Sequence, residues 1–260
     1  MSLNFDQNQN YYFLKKKNTI PIVFIHGVGL DHQMWNKQVD YLSEFSTLTY
    51  DLLGHGKTPF DKSKLSLRDF SNQLLGLLDN LKIEKINLIG FSLGSLIALD
   101  FSSHFQKKVE KLILIGTTYK RSDQERSLVL DRFNQAKLNK PISKQALKRW
   151  FSDEYLKNNP KTYDLFMNIL NKKPEDHKNF LKAYELFANH YDNFEDIKKI
   201  NRKTLVMTGS DDTGSTPKMS KELVKDLINS SYIEIKNGKH LCSIECADDV
   251  NMNIKNFITN

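Results

Sequence analysis

Residues 86–101, INLIGFSLGSLIALDF, decide the architecture of this chain. The first six, Ile86–Phe91, form a compact apolar run of the kind found in a strand buried on both faces of a parallel sheet. From Leu93 the sequence reads as a helix, continuing to Phe105. The two meet at Gly90-Phe91-Ser92-Leu93-Gly94, a G-x-S-x-G. A serine held on a tight strand-to-helix turn needs residues almost free of side chain two before and two after it, so that strand and helix can approach. Ser92 is therefore the candidate nucleophile. Ser95 lacks flanking glycines and is the weaker candidate.

The same alternation extends in both directions. Ile20–Ile25, Ser46–Asp51 and Leu112–Ile115 are further short apolar runs that end at glycine or a polar turn. Helical stretches lie between the strands at Trp35–Glu44 and Leu67–Leu81. In the latter, Leu67, Phe70, Leu74, Leu77, Leu78 and Leu81 share one stripe, and Ser66 is placed to cap it. Strands alternating with helices predict an α/β fold with a parallel sheet. From about Thr117 to Ile200 the pattern becomes helical throughout, with Pro141, Pro160 and Pro174 separating the helices. Alternation resumes with the strand Thr204–Thr208, the helix Lys218–Leu227, the strand Tyr232–Ile235 and a last helix to about Ile258. The predicted organisation is a core of residues 1–118 and 201–260 with a helical cap, 119–200, inserted into it.

A serine hydroxyl is a poor nucleophile without a base whose pKa lies near working pH, normally histidine. Among the seven histidines, His240 follows the strand Tyr232–Ile235 and precedes the last helix, at the carboxyl edge of the sheet, where open α/β sheets bind ligands. An acid must orient its second ring nitrogen. Gly209-Ser210-Asp211-Asp212 follows Thr204–Thr208 at the same edge, which leaves Asp212 and Asp211 as alternatives. The order Ser, acid, His is the one found when a serine elbow opens the set. The developing oxyanion needs donors as well. His26-Gly27-Val28-Gly29 follows Ile20–Ile25 as a tight glycine loop, and the amides of Val28 and Leu93 are the candidate donors. His26 reads as a residue that orders this loop, with Gly27 beside the substrate.

Other signals lead nowhere. Gly56-Lys57-Thr58 resembles the end of a phosphate loop, but the glycine required five positions earlier is Asp51, so this is the turn after the strand Ser46–Asp51. His240-x-Cys242-x-x-x-Cys246 matches no zinc spacing and lacks a fourth ligand. Two cysteines cannot build a disulfide scaffold. No run approaches the ~18 apolar residues needed to cross a bilayer, and the start, MSLNFDQNQN, has no basic region followed by an apolar one. The expectation is a soluble, cytoplasmic protein with no membrane partner.

The formal net charge of +7 raises nucleic acid as a partner. Lysine accounts for 32 of the 38 basic residues, whereas arginine is preferred for bidentate contacts to phosphate and guanine. No nucleic-acid partner is expected. Lys137, Lys140, Lys144, Lys148 and Arg149 form a run without an acid among them. If they rim the pocket, they draw in anionic substrates.

HGVG with Met34-Trp35 soon after, Asp51-x-x-Gly54-His55-Gly56, GFSLG, GSDD with Thr216-Pro217, and GKH together resemble the α/β-hydrolase superfamily over nearly the whole chain. Within it they resemble the 3-oxoadipate enol-lactonase and carboxylesterase branch. Arg149-Trp150-Phe151, followed by Tyr155 and Pro160, is similar to a cap motif of those lactonases. The resemblance implies a mostly parallel eight-stranded sheet flanked by helices, a helical cap inserted after the sixth strand, a Ser–Asp–His triad and no cofactor. It places the acid at Asp212. The substrate is then a small-molecule ester or lactone, with His26, Gly27, Trp35, Trp150 and Phe151 as expected pocket residues. The same triad also supports hydrolysis of carbon–carbon bonds in ring-fission products, cofactor-free perhydrolysis, or, in a chain that has lost turnover, a ligand receptor.

Overall fold

The computed structural model describes residues 4–61, 63–138, 143–171 and 174–260. Lys140 and Pro141 of the sequence reading lie outside them. Eight strands form one sheet: β1 (Asn4–Phe5), β2 (Tyr11–Lys15), β3 (Ile22–Ile25), β4 (Thr47–Tyr50), β5 (Ile86–Phe91), β6 (Val109–Ile115), β7 (Lys203–Gly209) and β8 (Ser230–Ile235). Their order is β1-β2-β4-β3-β5-β6-β7-β8. All pairs from β4 to β8 are parallel, and β1 and β2 add an antiparallel edge. Every residue of β3 and β5 is buried, the polar Asn87 of β5 included, as their mostly apolar runs predict. Strand β2, which β1 covers only at Tyr11 and Tyr12, was not read from the sequence. Its apolar run leads straight into Lys15-Lys16-Lys17, and only Tyr11 is fully buried, so it carries an edge strand's mixed pattern.

Helices cover both faces. On one side, α1 (Asn36–Tyr41) follows a 3₁₀ turn at His32–Trp35, so the helix predicted from Trp35 begins a residue later. The other side carries α2 (Leu67–Asn80) and α3 (Leu93–His104), packed on each other. In α2 the Ser66 hydroxyl accepts the Asp69 amide while the Asp69 carboxylate accepts the Ser66 amide, a reciprocal cap worth about 1 kcal/mol. Phe70, Leu74, Leu77 and Leu78 are fully buried, whereas Leu67 and Leu81 at the stripe's ends are only half-buried. Between β6 and β7 the described residues contain helices and no strand. These are α4 (Asp123–Lys137), α5 (Ser143–Trp150), α6 (Asp153–Asn158), α7 (Pro160–Leu170), α8 (Pro174–Ala188) and α9 (Phe194–Lys198). The chain closes with α10 (Pro217–Asp226), α11 (Cys242–Glu245) and α12 (Ala247–Thr259). Pro160 and Pro217 both stand in the first turn of their helices, where the missing amide costs nothing.

Candidate active site

Four loops leave the sheet at the carboxyl ends of β3, β5, β7 and β8, and because those strands are parallel the loops share one edge. The β5 loop is one residue long. Ser92 sits there at φ 53°, ψ −115°, a region that side chains rarely adopt, and caps α3. Packing enforces this. A Cβ at Gly90 would stand 2.2 Å from the Gly94 carbonyl oxygen, and one at Gly94 would stand 2.3 Å from that of Ile25. The turn is therefore closed to any other residue at either position. Ser95 serves the core instead, where its hydroxyl donates to the carbonyls of Gly90 and Ile115 at 2.7 and 3.1 Å.

The β7 and β8 loops bring the acid and the base together. Nδ1 of His240 donates to Oδ2 of Asp212 at 2.6 Å. Oδ1 of Asp212 accepts the amides of Gly214 and Ser215 at 2.8 and 2.9 Å, so the buried carboxylate is fully hydrogen-bonded. Asp211 is exposed, and among the described residues its side chain accepts only the Ser210 hydroxyl. With Nδ1–H engaged, Nε2 of His240 is the free lone pair and can serve as a base. The ring packs on Phe91, the residue before Ser92, with centroids 4.9 Å apart. The loop is also fastened to the end of α5: the Leu241 amide donates to the Trp150 carbonyl and Lys239 Nζ to that of Lys148. Glu245 ties the same two segments by accepting the amides of Ser152 and Lys239.

Ser92, His240 and Asp212 line a cavity of about 90 Å³ together with Gly27, Val28 and Phe91. Its far wall comes from the helices after β6: Val129 and Arg132 of α4, Arg149 and Trp150 of α5, Leu170 of α7, and Phe180, Tyr184 and Phe187 of α8. Leu93 stands at the first position of α3, where an amide has no helical acceptor. Among the described residues neither it nor the Val28 amide has a backbone acceptor in the surrounding loops. Both amides are thus available to a ligand.

Three residues expected in the pocket are elsewhere. His26 is fully buried: its Nδ1 donates to the Gly27 carbonyl at 2.8 Å and its Nε2 accepts the Leu52 amide at 3.0 Å. It braces the glycine loop from beneath and has no nitrogen left for a substrate. Burial pushes its pKa below the ordinary 6.5, against the opposing charge of Asp51. Trp35 is buried against Phe24, 5.1 Å between ring centroids. Phe151 is also enclosed, stacked on Tyr155 at 5.4 Å and 11° and edged by Phe166. Trp150 is the last residue of α5 and lines the cavity, whereas Phe151 follows the helix and turns into the core against Tyr155 and Phe166.

The basic run is dispersed as well. Of its described members, Arg149 lines the cavity, while Lys137, Lys144 and Lys148 are exposed. The second cation of the cavity is Arg132, which precedes the run and was not read from the sequence. Neither Arg132 nor Arg149 has an acidic partner among the described residues. Arg149 is held below its usual pKa by burial and then by the charge of Arg132. Tyr184 stands beside both, and burial raises its phenol. Among the described residues no cluster of histidine, cysteine or acid could hold a metal ion. Burial pushes the thiol of Cys246 up to about 11 and that of Cys242 higher still, so neither is a nucleophile near neutral pH. No described helix is long and apolar enough to cross a membrane.

Residues 20–246 match a family model described as the alpha/beta hydrolase fold. The chain belongs to the α/β-hydrolase family. It is similar to (E)-2-((N-methylformamido)methylene)succinate hydrolase of Acinetobacter baylyi, 27% identical over 256 residues that cover 96% of this chain and 94% of the relative. It is also similar to 3-oxoadipate enol-lactonase 1 of the same organism, 26% identical over 231 residues that cover 88% and 85% of the two chains. Among solved structures, the enol-lactonase from Burkholderia xenovorans LB400 superposes with a TM-score of 0.88 at 25% identity, over 97% of this chain and 98% of that one. This α/β hydrolase thus has relatives along almost its whole length in the branch that its motifs resemble. The family and these hydrolase relatives make it a hydrolase.

Proposed function

We propose that this α/β hydrolase cleaves small carboxylic esters or lactones that carry an anionic group, through Ser92, His240 and Asp212. The observation that carries the reading is the 2.6 Å contact between His240 Nδ1 and Asp212 Oδ2 in the wall of the cavity that holds Ser92. Ser92 Oγ attacks the carbonyl carbon while its proton passes to Nε2 of His240. The amides of Val28 and Leu93 hold the oxyanion, each donor worth about 10²–10³ in rate. Asp212 fixes the imidazole tautomer and stabilises the imidazolium without taking up the proton itself. His240 then gives its proton to the leaving oxygen, and the alcohol or enol departs. Water, deprotonated by His240, hydrolyses the acyl-enzyme and restores Ser92.

The anionic preference is supported by Arg132 and Arg149, two cations in the cavity wall without an acidic partner among the described residues. The relatives named for a succinate derivative and for 3-oxoadipate enol-lactone act on carboxylates too. The helical segment 119–200 would then act as the lid that selects the substrate. A fluorophosphonate probe should label the wild-type protein and leave Ser92→Ala unlabelled, with turnover of aryl esters lost in parallel. Equal labelling of both proteins would overturn the assignment.

A further inference from the structure

The two cations and the glycine loop all line the cavity, and a single helix reaches from one to the other. Phe180 and Tyr184 are one turn apart on α8 and both face the cavity, as residues at i and i+4 do. Their rings are in contact, 5.4 Å between centroids. Tyr184 is further wedged edge-on against Phe133 of α4 at 5.7 Å, with Arg132 and Arg149 beside its phenol.

At the other end, the Phe180 ring lies over Gly29. A Cβ there would be 3.0 Å from Cε2 of Phe180, and the glycine holds φ +78°. The preceding residue is Val28. Asn179 settles in the same way over the β4 loop, where a Cβ at Gly54 would stand 2.8 Å from its own Cβ. Helix α8 therefore rests directly on the backbone of two loops of the core. Arg132, Tyr184, Phe180, Gly29 and Val28 form an unbroken row of contacts.

Close-packed groups pass on displacements of tenths of an ångström rather than absorbing them. An oxyanion donor acts only within about 2.7–3.1 Å of the oxygen it serves. Two guanidiniums in one cavity wall repel each other until an anion sits between them. An anion that drew them together would shift Tyr184 and, through Phe180, press on the loop that carries the Val28 amide.

We propose that Phe180 and Tyr184 are positioning residues that couple the arginine pair to the Val28 amide, so that an anionic group on the substrate raises kcat and does not only lower KM. This rests on the ester and lactone reading above. It makes remote binding energy available to the transition state.

The test uses two p-nitrophenyl esters of matched chain length, one a neutral butyrate and one the mono-ester of succinic acid. Wild-type protein should turn over the anionic ester with a kcat about tenfold higher, a coupling of ordinary size. Phe180→Leu and, independently, Tyr184→Phe should bring that kcat ratio down to about 1. In Phe180→Leu the KM for the anionic ester should stay within about twofold, because the arginines remain. Adding Arg132→Gln to Phe180→Leu should lower the ratio no further, the non-additivity expected of one connected row. Should both single variants lower kcat equally for the two esters, or raise KM and leave the kcat ratio intact, the residues only support the wall and the proposal falls. Tyr184→Phe removes one oxygen and carries the test if Phe180→Leu does not fold. Failure of the wild type to turn over either ester, with no fluorophosphonate labelling of Ser92, would instead overturn the hydrolytic reading itself.

Discussion

Asp212 and His240 meet through Oδ2 and Nδ1 at 2.6 Å, and the second oxygen of Asp212 is filled by the amides of Gly214 and Ser215. Asp211, one residue earlier, faces solvent. Replacing Asp212 by asparagine removes the acceptor that selects the imidazole tautomer. Asp212→Asn should lower kcat by about 10³- to 10⁴-fold, whereas Asp211→Asn should stay within about twofold of the wild type. Steady-state kinetics on an aryl ester decides between them, and the reverse order would make Asp211 the acid.

The elbow makes a separate prediction about stability. With 2.3 Å between a Cβ at Gly94 and the Ile25 carbonyl, Gly94→Ala must move β3 or α3. The cost should reach about 3 kcal/mol or more, seen as a fall in Tm of roughly 10 °C. Ser95→Ala removes one buried hydroxyl donor shared by two carbonyls. It should cost only about 1–2 kcal/mol and leave fluorophosphonate labelling at Ser92 intact.

Acid should weaken the fold through His26. Its folded pKa lies below the ordinary 6.5, so under mildly acidic conditions the unfolded chain binds a proton that the folded chain does not. That term is fully present above about pH 6.5 and fades as the pH falls, by up to about 1.4 kcal/mol per pH unit. Asp51 adds to it at lower pH. Burial alone would raise its carboxyl, but the hydrogen bond and charge of His32 hold it below 3.8, so its contribution is lost only as that group protonates. Urea unfolding from about pH 7 to 5 should show a declining midpoint for the wild type and a shallower decline for His26→Asn. Parallel slopes would mean that other groups dominate.

The cations of the cavity should appear in specificity. Arg149→Met and Arg132→Met should each lower the ratio of kcat/KM for an anionic ester over a neutral one by about tenfold, the worth of a charge-assisted contact. The wild-type ratio should itself shrink as salt rises. Charge reversal at Lys144 and Lys148, which are exposed and do not line the cavity, should alter it far less. A ratio that tracks the lysines rather than the arginines would place the anion outside the cavity.

Backbone demands were legible in the sequence and side-chain direction was not. The Gly90, Ser92 and Gly94 spacing announces a turn that only glycines allow, and Gly27 marks the loop beneath it; both lie where expected. His240 and the pair Asp211 and Asp212 could be placed because each follows a strand, and parallel strands deliver their loops to one edge; the choice of Asp212 within the pair came from the family resemblance. The cap gave no such register. Trp150 and Phe151 are neighbours in a motif, yet one faces the cavity and the other the core. Arg132 carried no signal beyond being one of few arginines, and Tyr184 none beyond being one cap aromatic among many. Strand β2 was hidden by the lysines that protect an edge.

Ser92 holds a backbone conformation, φ 53°, ψ −115°, that costs about 1–3 kcal/mol for a residue bearing a side chain. Glycine would relax it. The sturdier form of this molecule is thus one that has lost its hydroxyl, and selection for stability alone would erase the residue that the surrounding structure is built to present. Laboratory evolution for heat resistance, run without a screen for turnover, would be drawn toward that substitution.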